Sequence, residues 1–240
     1  MAAKMGKTVV TNQPSLTRNQ IDSFDRFLIA SIDKALSVFK TLLALNIDSS
    51  DSSIEIVPAI NIEKIEPLSN GPVYIISSEM TGELQGGLHL LMRSSDFENL
   101  GEVMKPILKL LFLSSPDADL ATLESQKLDW MKDNDKSCTD DPAFHEQMID
   151  VLTEMGNILF GIYTSAIYAV YDLHTNHSVP AAFRDTDRHH TQQVLSSPEL
   201  LDAQHLVIEN EFSVLEKPIK LWCLVSPTQK SFQEILNRIG

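Results

Sequence analysis

The stretch from Ile149 to Leu173 constrains the fold more than any other part of the chain. It is long and mostly apolar, yet Asp150, Glu154 and Asn157 interrupt it. A clean apolar run of that length would read as a membrane span, but charges inside it argue against that. The remaining reading is a helix buried in protein that carries one polar stripe. Spacings of four and three put Asp150, Glu154 and Asn157 on a single helix face. A carboxylate and an amide among apolar neighbours are costly unless paired or facing solvent. That stripe must therefore look outward or make specific contacts.

Periodicity places the other elements around this helix, which the pattern extends from Pro142 to Leu173 with proline in the first turn. Phe24, Phe27, Leu28, Ala35, Leu36, Phe39, Leu42 and Leu43 predict a helix from Gln20 to about Leu45, stopped by Asn46. Ser53 to Val57 alternates and meets Pro58, which predicts a short strand. Pro72 to Ser77 and Leu84 to Met92 read as strands, with Gly82 and Gly86–Gly87 at the turn or at a close backbone approach. Ser94 to about Leu113 reads as a helix capped by Ser95 and bent at Pro106. Thr175 to Leu201 is polar, with a strand at Val179 to Phe183. His205 to Leu215 and Ile219 to Val225 form a hairpin around Glu216–Lys217, and Pro227 to Ile239 closes the chain as an amphipathic helix.

The order of elements repeats. Each half reads long helix, strand or irregular segment, two paired strands, helix. Aligning the long helices places Ala166 on Ala35, Ile167 on Leu36 and Ile158 on Phe27, while Leu88, Leu90 and Met92 match Leu221, Cys223 and Val225. Two halves that each leave a sheet face open can bury it under helices in one two-layer α/β (α+β) body, with long helices on an extended, mainly antiparallel sheet. Residues 1–16 read as a flexible N-terminus by composition. Residues 17–240 form a single domain, with a first half at 17–113, an acidic connection at 114–141 and a second half at 142–240. The connection contains an amphipathic stretch from Leu120 to Met131.

Composition narrows the partners. Acidic residues number 33 against 19 basic, for a net charge of −14. Such a chain repels nucleic-acid phosphate and anionic membrane surfaces. The two cysteines, Cys138 and Cys223, offer no disulfide framework, and no secretory pattern opens the chain, so a cytoplasmic protein is expected. His174, His177 and the adjacent His189–His190 supply only part of a zinc ligand set and read as solvated loop histidines. The glycines between 82 and 87 lack the lysine of a phosphate loop and lie between strands, which makes them a hairpin turn. Met148 and Met155 read as core. No nucleophile elbow is present.

A glutamate and an asparagine three apart are also common on plain solvated helix faces. The longer pattern here is acidic-xxx-Glu-xx-Asn, then twenty-two residues, then proline, in Asp150, Glu154, Asn157 and Pro180. It resembles the signature of the CheC/CheX/FliY chemotaxis phosphatases, with Met155, Gly156, Ile158, Gly161 and Ala166–Ile167 adding to the likeness. The resemblance implies a CheC-like fold and an enzyme that hydrolyses the aspartyl phosphate of a CheY-like response-regulator receiver domain. It implies that Asn157 orients the attacking water, that Glu154 pairs with the partner's lysine, and that Asp150 and Pro180 support docking. It implies no cofactor or metal bound by this chain, the Mg²⁺ belonging to the phosphorylated partner. By the helix alignment Glu154 falls on Ser23, Asn157 on Arg26 and Pro180 on Ser49, so a single active site is expected, in the second half. The alternative expectation is a non-catalytic adaptor of the same fold, monomeric or homodimeric.

Overall fold

The computed structural model describes residues 7–10, 17–43, 47–69, 71–113, 142–186, 191, 195 and 204–239. Strand β1 (Lys7–Val10) leads to helix α1 (Arg18–Leu43), β2 (Ile47–Pro58), a 3-10 turn (Ala59–Lys64) and the one-turn helix α2 (Glu66–Ser69). The hairpin β3 (Val73–Gly82) and β4 (Gly86–Arg93) follows, then α3 (Ser94–Leu113). The second half runs α4 (Pro142–Tyr171), β5 (Thr175–His177), β6 (Ala181–Asp185), β7 (Gln204–Val214), β8 (Lys217–Pro227) and α5 (Gln229–Ile239). No helix among the described residues is long and apolar enough to cross a membrane.

The strands form one sheet in the order β1-β2-β7-β8-β4-β3-β5, with β6 also pairing with β3. All pairings are antiparallel except that of β1 with β2. The predicted repeat is visible in the register. In the central β4–β8 ladder Leu90 faces Cys223, His89 faces Leu224 and Leu91 faces Trp222. Exchanging the two strands about the Leu90–Cys223 pair returns the same ladder, so a local two-fold passes through it. The hairpins obey it too: Ile76 opposite Leu90 matches Ile208 opposite Cys223. Each half lends a strand to the other, β2 flanking β7 and β6 flanking β3.

Alternation sorts the side chains. Leu88, Leu90 and Met92 with Leu221, Cys223 and Val225 all face the main core beneath α1 and α4. Those helices meet along an aromatic seam, Phe27 lying 6.1 Å from Tyr163 and 6.0 Å from Tyr171 between ring centroids. Burying each such ring contributes roughly 1.5–3 kcal/mol. The opposite sheet face carries a smaller core, where Ile62, Ile65 and Leu68 from the segment after β2 cover Trp222 and Leu224.

Three expectations change. The N-terminal stretch contains a strand, Lys7–Val10, lying parallel to β2; four residues are too few to show alternation, and their pairing is a long-range property. The last hairpin turns at Leu215–Glu216, one residue early, with both in left-handed backbone at φ 49° and 66°, a conformation more often left to Gly or Asn. Strand β2 runs well past the predicted 53–57, because β7 pairs with it from Ile47 to Pro58. The acidic connection 114–141 and His189–His190 lie outside the described residues.

Candidate functional site

Helix α4 packs its apolar side into the core and leaves one stripe open. Met148, Leu152, Met155, Leu159, Phe160 and Tyr163 are buried. Asp150 and Glu154 are exposed, and Asn157 and Gly161 are half-buried. At 1.5 Å per residue, Glu154 and Asn157 are about 4.5 Å apart along the axis and Asp150 a further turn away. Among the described residues, none engages Asp150, Glu154 or Asn157 through a side-chain hydrogen bond or ion pair. The stripe therefore offers two carboxylates and one amide with unused hydrogen-bonding capacity.

The backbone under the stripe is seated tightly. Gly156 lies directly on β3, where a Cβ would come within 2.7 Å of Ile76 Cγ2. A glycine at this point lets the helix approach the sheet and fixes the height of the neighbouring Asn157. The far end of the stripe borders β5. Gly161 faces the His177 ring, whose plane meets Phe160 edge-on at 6.0 Å and 74°. Pro180 is not on the stripe. It is buried in the connection from β5 to β6, beside Val179, which is 90% exposed. Ser178 pins that connection to β3, its N–H donating to the Glu79 carbonyl at 2.9 Å and its Oγ accepting from the Glu79 N–H at 3.0 Å. The structure thus brings Asp150, Glu154 and Asn157 together on one helix face, while Pro180 lies off that helix, between two strands that both contact it.

The first half corrects the helix alignment by one residue. Ser23 is 2% exposed and cannot be the counterpart of an exposed glutamate. Shifting the register by one matches Phe27 to Leu159 and Phe24 to Gly156, both pairs buried, and agrees with the match of Ile76 to Ile208 in the hairpins. Asp22, exposed, then occupies the place of Glu154, and Asp25, half-buried, that of Asn157. Residue type could not reveal this, because a serine is equally at home inside and outside.

No group of three or more His, Cys, Asp or Glu among the described residues could hold a metal ion. His174 stacks on Tyr168 at 4.4 Å, and the Nδ1 of His177 lies 2.9 Å from the Ser178 carbonyl oxygen. Cys223 is buried, and burial pushes its thiol up to about 12, which leaves it unreactive. Sequence reasoning missed the exposed apolar Val179; the proline that follows it was the only local sign of a forced bend.

No protein-family model matches the chain, and no curated protein matches it in sequence. Solved structures do match. FliY from Thermotoga maritima aligns over 94% of this chain and 98% of its own at 13% identity, with a TM-score of 0.62. The FliM middle domain from H. pylori aligns over 93% and 99% at 8% identity and 0.57. FliM in a FliG–FliM complex from H. pylori aligns over 92% and 100% at 10% identity and 0.54. The fold is that of the CheC/FliY type. Within that CheC/FliY-type fold, α1 and α4 are the two central helices, and α4 alone carries both a glutamate and an asparagine on its open stripe.

Proposed function

We propose that this chain hydrolyses the aspartyl phosphate of a CheY-like receiver domain, with α4 as the catalytic helix. The observation that carries the reading is the pair Glu154, exposed, and Asn157, half-buried, on the open stripe of a closely seated helix and without side-chain partners among the described residues. Unengaged polar groups on a helix this apolar fit a surface meant to meet something else.

The chemistry asks little of covalent catalysis. Phosphoryl transfer to water needs a nucleophile held in line with the leaving carboxylate, and positioning supplies much of the rate. An amide both accepts from and donates to one water. Asn157 would hold the attacking water by its carboxamide and point it at phosphorus; the bond from phosphorus to the aspartyl oxygen breaks as the water oxygen bonds. Glu154, one turn back, would pair with the receiver's lysine and set the register of docking. Asp150, at the end of the stripe, adds negative charge to that encounter. The receiver's own Mg²⁺ neutralises the phosphoryl oxygens, so this chain supplies geometry.

The FliM structure solved in complex with FliG favours a second reading, a non-catalytic adaptor of the same fold. Asn157→Ala separates the two. A phosphatase loses turnover while keeping affinity for the receiver. An adaptor shows no acceleration of phosphate release in the wild type.

A further inference from the structure

The local two-fold brings out a difference on the sheet face away from α4. It relates the pair Glu79–Gly87 of β3–β4 to Glu211–Lys220 of β7–β8, and Ser77–His89 to Glu209–Trp222. On the second-half side the position is filled. Lys220 Nζ lies 2.9 Å from Glu209, 3.4 Å from Glu211 and 3.8 Å from Glu66, and the Trp222 indole donates to Glu209 at 3.2 Å.

On the first-half side the glutamate remains and the lysine is gone. Gly87 stands where Lys220 would be, with the His89 imidazole over it; a Cβ there would lie 2.4 Å from His89 Nε2, so a side chain would need that buried ring to shift. What is left is a cleft of about 620 Å³ lined by Ser77, Glu79, Gly87, His89, Val179 and Thr228, among others. His89 is 3% exposed, its Nδ1 lies 2.9 Å from Ser77 Oγ, and its Nε2 has no partner. Burial lowers its pKa to about 3, so it provides no cation. Among the described residues no lysine or arginine lines the cleft and no cation pairs with the Glu79 carboxylate.

We propose that the cleft is a docking site for a lysine side chain of a partner protein, whose ammonium takes against Glu79 and Ser77 the place that Lys220 takes against Glu211 and Glu209. The molecule contains the template for its own ligand. An aliphatic stem lies along the cleft beside the His89 ring, and the ammonium finds one carboxylate and a hydroxyl oxygen with a lone pair to spare. The net charge of −14 draws such a partner in. The site is independent of the catalytic reading, since it lies on the other face of the sheet.

The test is an amide-resolved NMR titration of the full chain with Nα-acetyl-lysine methylamide, run beside the Nε-acetylated compound and cadaverine. The expected result is shifts centred on Ser77–Thr81 and Gly86–His89 with the lysine probe, absent with the acetylated one and weakened about tenfold in Glu79→Gln. Glu79 is exposed, so that variant keeps the fold. No shifts at about 50 mM probe (an affinity weaker than about 2 kcal/mol), shifts spread over the acidic surface, or shifts unchanged by Glu79→Gln would each overturn the proposal. Cadaverine acting at lower concentration on the same amides would overturn the protein source in favour of a free diamine.

Discussion

Helix α4 carries an exposed Glu154 and a half-buried Asn157 where α1, at the matching places, carries an exposed Asp22 and a half-buried Asp25 that has a partner of its own. Both helices bury their other sides against the same sheet and against each other through Phe27, Tyr163 and Tyr171. The scaffold is therefore shared, and the difference is one of functional groups. An ionised aspartate only accepts hydrogen bonds, whereas an asparagine accepts and donates. The first half keeps a negative face that can meet a basic patch and lacks the donor that would orient a water. A second difference lies beneath: Gly156 sits on Ile76, while its counterpart Phe24 is a fully buried ring.

The largest effect expected from these asymmetries is on the outer sheet face, in acid. His89, in the place of Trp222, and the nearby His205 are buried neutral, burial lowering them to about 3 and about 4. The unfolded chain takes up protons below about pH 6.5, and the folded chain does not until far lower. Stability is thus full above pH 6.5 and falls as pH drops toward 4, by about 2 kcal/mol per histidine at pH 5. Urea unfolding at pH 7 and pH 5 measures this, and His89→Gln should remove about half of the difference.

Gly156→Ala tests the close seating of α4. A Cβ there meets a branched, buried side chain, and a loss of about 1–3 kcal/mol is expected, partly offset by the better helix propensity of alanine. Receiver dephosphorylation should fall along with thermal stability, because the displaced turn carries Asn157. Glu154→Ala should weaken receiver binding about tenfold in a direct binding assay, with turnover at saturation little changed. The smallest effect belongs to α1: Asp22→Ala should alter stability by less than about 0.5 kcal/mol and leave dephosphorylation intact. Equal losses from Asp22→Ala and Glu154→Ala would erase the distinction between the halves.

Much of this was legible in the sequence for identifiable reasons. The stripe on α4 could be read because polar residues stand out in an apolar helix, and three of them share a face by spacing alone. The matched triplets Leu88, Leu90, Met92 and Leu221, Cys223, Val225 could be read because alternation on a buried strand leaves little freedom of register. The helix alignment slipped by one because Ser23 and Arg26 gave no sign of which was buried. Strand β1 was hidden because its stabilisation comes from pairing with a segment more than forty residues away in sequence. The cleft was hidden for the same kind of reason: Gly87 and Lys220 become counterparts only once the β4–β8 ladder is known.

The central claim is best tested by phosphate release from phosphorylated receiver domains in Mg²⁺, comparing the wild type with Asn157→Ala and Asp25→Ala. The account predicts that the wild type accelerates release from at least one receiver, that Asn157→Ala loses about a hundredfold of that acceleration while still binding, and that Asp25→Ala matches the wild type. A folded wild type that accelerates release from no receiver in a complete panel, or an Asn157→Ala variant as active as the wild type, would contradict it.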